Sequence, residues 1–205
     1  MRYLLLSSFL FFFIGCSSVY KNLQKTAGDP SCLLQFRPQF TKVLYNTQVD
    51  VVGKHLSGIL LIKKMPDSST RMLFSNEIGF KFFDFEFSAD GNFKVYYILK
   101  QMDKKAVLKT LRKDFELILM QHLDMNTVHI LKDSENRYYA FPQSKGSYYY
   151  ITDSSCHQLQ RIEKSSKRKP VVRAIMQHYN EGVPDTIGIT HTKFNFTIGL
   201  KRLKQ

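Results

Sequence analysis

From Ser31 onward, apolar and polar residues alternate with a period of two over most of the chain. Val43, Tyr45, Thr47, Val49 and Val51 fall on one side and Asn46, Gln48 and Asp50 on the other, the pattern of a strand with one covered face. Leu56-Ser57-Gly58-Ile59-Leu60-Leu61-Ile62 is the next apolar run, Pro66-Asp67-Ser68-Ser69 marks a turn, and Arg71-Met72-Leu73-Phe74 follows. After Gly79 comes Phe80-Lys81-Phe82-Phe83-Asp84-Phe85-Glu86-Phe87. Phe83, Phe85 and Phe87 share one face, and Asp84 and Glu86 the other. The phase breaks at Phe82-Phe83, which requires a bulge or burial on both faces. Ala89-Asp90-Gly91-Asn92 is a hairpin turn, after which Phe93, Val95, Tyr97 and Leu99 alternate back. These five strands form an antiparallel meander.

One helix interrupts the strands. Over residues 103–121, Val107, Leu108, Leu111, Phe115, Ile118 and Leu119 recur at helical spacing, with Lys105, Lys109, Arg112, Lys113 and Glu116 on the other side and Asp103 placed as the N-cap. Strand patterns resume at Thr127–Leu131, Arg137–Phe141, Tyr148–Thr152, His157–Glu163, Val171–Tyr179 and Ile187–Leu203. In the last run Phe194, Phe196, Ile198 and Leu200 face one way. About eleven antiparallel strands in so short a chain must curl into a half-barrel, barrel or sandwich. The expected fold is therefore mainly β, a large curved antiparallel sheet with one long amphipathic helix as its lid.

The amino terminus departs from this pattern. Arg2 is followed by an uncharged, mostly apolar run from Tyr3 to Ile14, the length of an export signal and too short to span a bilayer. Phe13-Ile14-Gly15-Cys16 resembles the bacterial lipobox, with Phe13 where that pattern prefers Leu. The resemblance implies that residues 1–15 are removed and that Cys16 becomes the lipid-carrying first residue, held durably by more than one acyl chain. Residues 16–30 are polar, end in Gly28-Asp29-Pro30 and read as a tether, leaving 31–205 as a single domain. Ser17-Ser18-Val19-Tyr20 lacks the acidic residues that mark surface export in some bacteria, so the expected location is the outer membrane, facing the periplasm.

Composition narrows the partners. A formal charge of +13 would suit nucleic acid, but an exported lipoprotein does not meet it, which leaves anionic headgroups, acidic polymers or plain solvated charge. The densest basic run, Arg161-Ile162-Glu163-Lys164-Ser165-Ser166-Lys167-Arg168-Lys169, reads as a hairpin tip. Cys32 and Cys156 share no metal-type spacing. An oxidising compartment permits a bridge between them, but Cys32, before Leu33-Leu34, reads more simply as a small buried apolar residue.

Catalytic patterns are missing from the sequence. There is no nucleophile elbow, phosphate loop or HExxH, and the six histidines have no paired helical spacing. His191, on the polar side of the last run, reads as exposed. Asp84 and Glu86 form the one tight carboxylate pair on a strand, a weak hydrolase pattern and more often a solvent face. No catalytic residue, metal or cofactor is expected.

The lipobox, the tether and a long antiparallel sheet closed by an amphipathic helix resemble the lipoprotein-localisation factor superfamily, which includes the carrier LolA and the receptor LolB. The stretch from Gly58-Ile59-Leu60-Leu61-Ile62-Lys63-Lys64 through Phe80–Phe87 to Leu111-Arg112-Lys113-Asp114-Phe115-Glu116 is also similar to small lipoproteins of Bacteroidetes-type bacteria. The first resemblance implies an apolar cavity for acyl chains under the helical lid. Its lining would be Leu60, Ile62, Phe74, Phe83, Phe85, Val95, Tyr97, Leu111, Phe115, Phe194 and Phe196. The receptor uses an exposed apolar residue on a loop between early strands; here that loop is Met65-Pro66-Asp67-Ser68-Ser69, where only Met65 fits. The expected function is a membrane-anchored binder of a hydrophobic ligand or of lipoprotein acyl chains, in lipid or lipoprotein transfer. The alternative is a non-catalytic accessory lipoprotein with an envelope protein partner.

Overall fold

Two meanders zipped edge to edge make a single open sheet in the computed structural model, which describes residues 18–51, 53–121 and 123–204. The first meander is β2 (Lys42–Val51), β3 (Lys54–Lys64), β4 (Thr70–Ser75), β5 (Lys81–Phe87) and β6 (Phe93–Ile98). Helix α1 (Lys105–Ile118) then carries the chain back across the concave face. The second meander is β7 (His129–Lys132), β8 (Asn136–Gln143), β9 (Gly146–Asp153), β10 (Leu159–Ser165), β11 (Pro170–Asn180), β12 (Val183–His191) and β13 (Phe196–Arg202). β13 pairs with β2, and the two-residue β1 (Gln24–Lys25) covers the edge of β7, giving 13 antiparallel strands that do not close into a barrel.

Alternation decides which side chains enter the core. In β2, Val43, Tyr45, Thr47 and Val49 are buried while Asn46, Gln48 and Asp50 are not. The phase break in β5 is a bulge: Phe74 opposes Phe83 and Ser75 opposes Lys81, so Phe82 is the extra residue and both phenylalanines are buried. Gly58 fits a close approach, since a Cβ there would stand 2.1 Å from the Ser75 carbonyl oxygen.

Several expectations change. The run 187–203 is two strands, because Thr192–Asn195 turns the chain between β12 and β13. That turn moves His191 to the end of β12, under the helix, where its side chain is 7% exposed and not on a polar face. The added hairpin and β1 account for the strands beyond the expected count. Helix α1 starts after Lys104, which makes no side-chain cap, and not at Asp103. Its last turns sink into the trough of the sheet, so Glu116, expected on the solvent side, is buried and held by Arg112 and Lys113. The basic run is a hairpin whose tip is shorter than expected, since Arg161–Ser165 belongs to β10.

Cys32 and Cys156 are joined by a disulfide that ties a 3-10 helix at Pro30–Phe36 to the turn between β9 and β10. Asp29 caps that helix by accepting from the Ser31 amide at 2.8 Å.

Residues 1–17, including the export segment and Cys16, lie outside the described residues. The described part of the expected tether is laid along the sheet. The Val19 amide donates to the Arg168 carbonyl at 2.9 Å, as does the Ser18 hydroxyl at 3.1 Å. The Tyr20 hydroxyl donates to Glu163 at 2.7 Å, its ring stacks on Tyr149 at 4.1 Å, and the Thr26 amide reaches the Ile130 carbonyl. Among the described residues, no helix is long and apolar enough to cross a membrane.

Candidate functional site

The concave face is filled with aromatic rings where α1 meets the first meander. Phe83 stacks on Phe85 at 4.4 Å and meets Phe115 at 5.5 Å, while Phe93 touches both Phe85 and Phe87 at 5.1 Å. Of the side chains expected to line a cavity, Leu60, Ile62, Phe74, Phe83, Phe85, Leu111, Phe115 and Phe196 come together here, all buried. They pack against one another, and none of them lines the hollow described next.

Val95, Tyr97 and Phe194 do not join them. β6 is an edge strand with a bulge between the pairs Phe85–Val95 and Asp84–Tyr97. The extra residue, Tyr96, puts Tyr97 opposite Asp84, and both Val95 and Tyr97 are exposed at the edge. Phe194 lies in the β12–β13 turn, 45% exposed, stacked beside Phe196 and 4.7 Å from His191.

At the end of the sheet where α1 finishes there is a half-open hollow of about 560 Å³. Phe40, Phe87 and Leu119 give it apolar walls, and Arg37 and Lys64 bring two cations. Phe87 belongs to the aromatic interior as well, 6.1 Å from Phe115, so the hollow and the core share a wall. Arg37 is held in place by donating to the Met120 carbonyl at 3.1 Å. The acidic wall residue, Asp90, is engaged in its own turn by the Asn92 amide and side chain. An amphipathic molecule with an anionic end suits such a lining, which has apolar walls and a few polar groups placed to orient. The sequence reading missed this hollow because its residues come from the loops between elements and carry no periodic pattern.

Among the described residues, one buried side-chain oxygen has no partner, the Tyr150 hydroxyl, and burial pushes its pKa well up. A polar group buried this way is costly until it meets a donor or acceptor.

The carboxylate pair on β5 is divided. Asp84 is buried with both oxygens taken by Arg71, at 2.7 and 2.9 Å, and the Arg71 guanidinium lies 3.9 Å from the centre of the Tyr96 ring. Glu86 meets the Tyr96 hydroxyl at 3.3 Å. Asp84 is thus a bidentate clamp between strands. Among the described residues, no group of three His, Cys, Asp or Glu side chains is placed to hold a metal ion.

Helix and sheet are joined by a buried polar pair, Asp114 of α1 and His191 of β12, 2.8 Å apart. Burial holds the Asp114 carboxyl above its ordinary range, with the hydrogen bond to His191 and the nearby Lys164 pulling partly the other way. A carboxyl whose folded pKa exceeds its unfolded value binds more protons in the folded state. Its contribution to stability is full below the unfolded value and declines as pH rises through the folded one. Asp114→Asn removes that decline. In denaturant titrations from about pH 4 to pH 7, the native protein loses stability relative to the Asn variant as pH rises. Parallel profiles would contradict the assignment.

Neither a family model nor a curated protein matches the chain. Solved structures do. A LolA superfamily protein of Nitrosomonas europaea superposes with a TM-score of 0.54 at 9% identity, over 87% of this chain and 93% of that one. A DUF1329 family protein of Desulfovibrio piger gives a TM-score of 0.46 at 9% identity, over 87% and 92%. The chain shares the fold of the Nitrosomonas europaea protein, a fold that the order of its elements led us to expect.

Proposed function

We propose that the protein is an outer-membrane lipoprotein, anchored through Cys16 and facing the periplasm, which binds the acyl part of a lipid or lipoprotein at the open end of its half-barrel. The observation that carries this reading is the hollow of about 560 Å³. Its size lies in the usual range for ligand sites. Its apolar walls, Phe40, Phe87 and Leu119, adjoin the aromatic interior, and Arg37 and Lys64 stand ready for a carboxylate or phosphate. A chain entering there would extend inward only by displacing side chains around Phe87 and Phe115, so the cavity lining expected from the sequence is reached after that displacement.

The test is a titration of the lipid-free domain, from Ser18 onward, with a fluorescent fatty acid. Binding saturates, and Arg37→Gln with Lys64→Gln weakens it by about tenfold, the equivalent of roughly 1.4 kcal/mol. Unsaturable partition, or binding indifferent to both cations, would count against the site. Mass spectrometry of the mature N-terminal peptide tests the anchor separately, with an acylated Cys16 expected and an unmodified one contradicting it.

The packed interior favours a second reading, an accessory lipoprotein of an envelope assembly. In that case no ligand enters and a protein partner co-purifies.

A further inference from the structure

The hairpin turns β8–β9, β10–β11 and β12–β13 lie on the same edge of the sheet, because consecutive antiparallel hairpins alternate edges and these three follow one another in sheet order. Neighbouring strands are about 4.8 Å apart, so the three tips stand side by side. Their residues are Gln143-Ser144-Lys145-Gly146, Ser165-Ser166-Lys167-Arg168-Lys169-Pro170 and Thr192-Lys193-Phe194-Asn195. Lys145, Lys167, Arg168, Lys169 and Lys193 are all exposed, and the tips hold no carboxylate. The nearest acid on these strands, Glu163, is buried and taken up by Arg161, Arg173 and Tyr20. Phe194 stands out from the third tip.

The amino-terminal strap ends at the middle tip, where Ser18 and Val19 are bonded to the Arg168 carbonyl. Val19 is 67% exposed there. Ser18 is two positions beyond Cys16, a reach of at most about 7 Å. A lipid on Cys16 therefore enters the bilayer beside this tip, and the domain cannot stand off on a long leash. We infer that these three basic tips are the membrane-docking end of the domain, resting on an anionic phospholipid surface with Phe194 and Val19 at the level of the headgroups. This rests on the anchoring of Cys16 proposed above. The charge fits that surface, since basic residues held at an anionic leaflet each add to binding and lose their effect in salt. Docked this way, the hollow between Arg37 and Leu119 opens at the opposite edge of the sheet, away from the membrane that carries the protein, where a ligand arriving from the periplasm can enter.

The full acylated protein is reconstituted in vesicles of phosphatidylcholine alone and in vesicles that also contain phosphatidylglycerol, and amide hydrogen exchange is followed. The protein floats with both kinds of vesicle. On the anionic ones alone, the three tips exchange more slowly by about fivefold or more, the factor one engaged cation contributes. The protection disappears at about 0.5 M salt and in the variant Lys145→Gln/Lys167→Gln/Arg168→Gln/Lys193→Gln, which spares the Arg168 carbonyl and so the strap. Flotation with both vesicles but equal exchange at the tips overturns the docking and leaves the anchor intact. Failure to float with neutral vesicles overturns the anchor and the docking together.

Discussion

Phe115→Ala lowers the stability of the domain by about 3–5 kcal/mol. Phe115 is 1% exposed and sits where α1 presses into the sheet, meeting Phe83 at 5.5 Å and Phe87 at 6.1 Å. Truncation removes its own burial and leaves a hole between rigid rings that cannot collapse far. Since domains hold only about 5–15 kcal/mol in all, the variant is near the margin, and α1 is the element whose hold on the sheet weakens first. Lys109→Ala, on the exposed side of the same helix, changes stability by no more than about 0.5 kcal/mol. Denaturant unfolding of the two variants measures both. A loss below about 1 kcal/mol for Phe115→Ala would mean that the helix is not seated as described.

Removing the bridge between Cys32 and Cys156 costs a similar amount by a different route. It closes a loop of 124 residues, so in the chain-entropy view it removes about 4–5 kcal/mol of freedom from the unfolded chain. The double variant Cys32→Ser/Cys156→Ser should unfold at a much lower denaturant concentration and with a steeper dependence, because the uncrosslinked unfolded chain exposes more surface. An unchanged slope and midpoint would contradict that role. The folded arrangement nearby should largely persist, since Leu33 and Phe36 stay buried in the core and Gln35 still reaches the residue 156 carbonyl. The bridge also stiffens the segment that leads to Arg37 and Phe40, two walls of the hollow.

Much of the fold was legible from the alternation of residues, because one face of each strand is buried and the other is not. β2 and β4 follow that rule closely, the edge strand β6 does not, and the bulge at Phe82 was foreshadowed by two adjacent phenylalanines. The β12–β13 hairpin was not legible. Thr192-Lys193-Phe194-Asn195 contains neither Gly nor Pro, and Phe194 happens to keep the phase of β13, so the turn reads as more strand. The same error hid His191, whose partner Asp114 lies on a helix far away in sequence. The strap at Ser18–Thr26 reads as a tether because its bonds run mostly through backbone groups, which leave no pattern of residue types. Of the aromatic residues expected in the interior, Phe74, Phe83, Phe85, Phe115 and Phe196 are buried there, while Tyr97 and Phe194 are exposed. The number of aromatic residues alone could not tell a cavity from a packed core, and the hollow at its end is assembled from loop residues after the fold has formed.

The most direct test of the proposed function locates the ligand. In an NMR titration of the lipid-free domain with a saturated fatty acid, shifts should begin at Phe40, Phe87, Leu119 and Gln121 and spread to Phe115 and Phe83 as the chain enters, saturating together. Saturable shifts confined to the outer face of β11–β13, or no saturable shifts, would contradict the reading of this half-barrel as an acyl-chain binder.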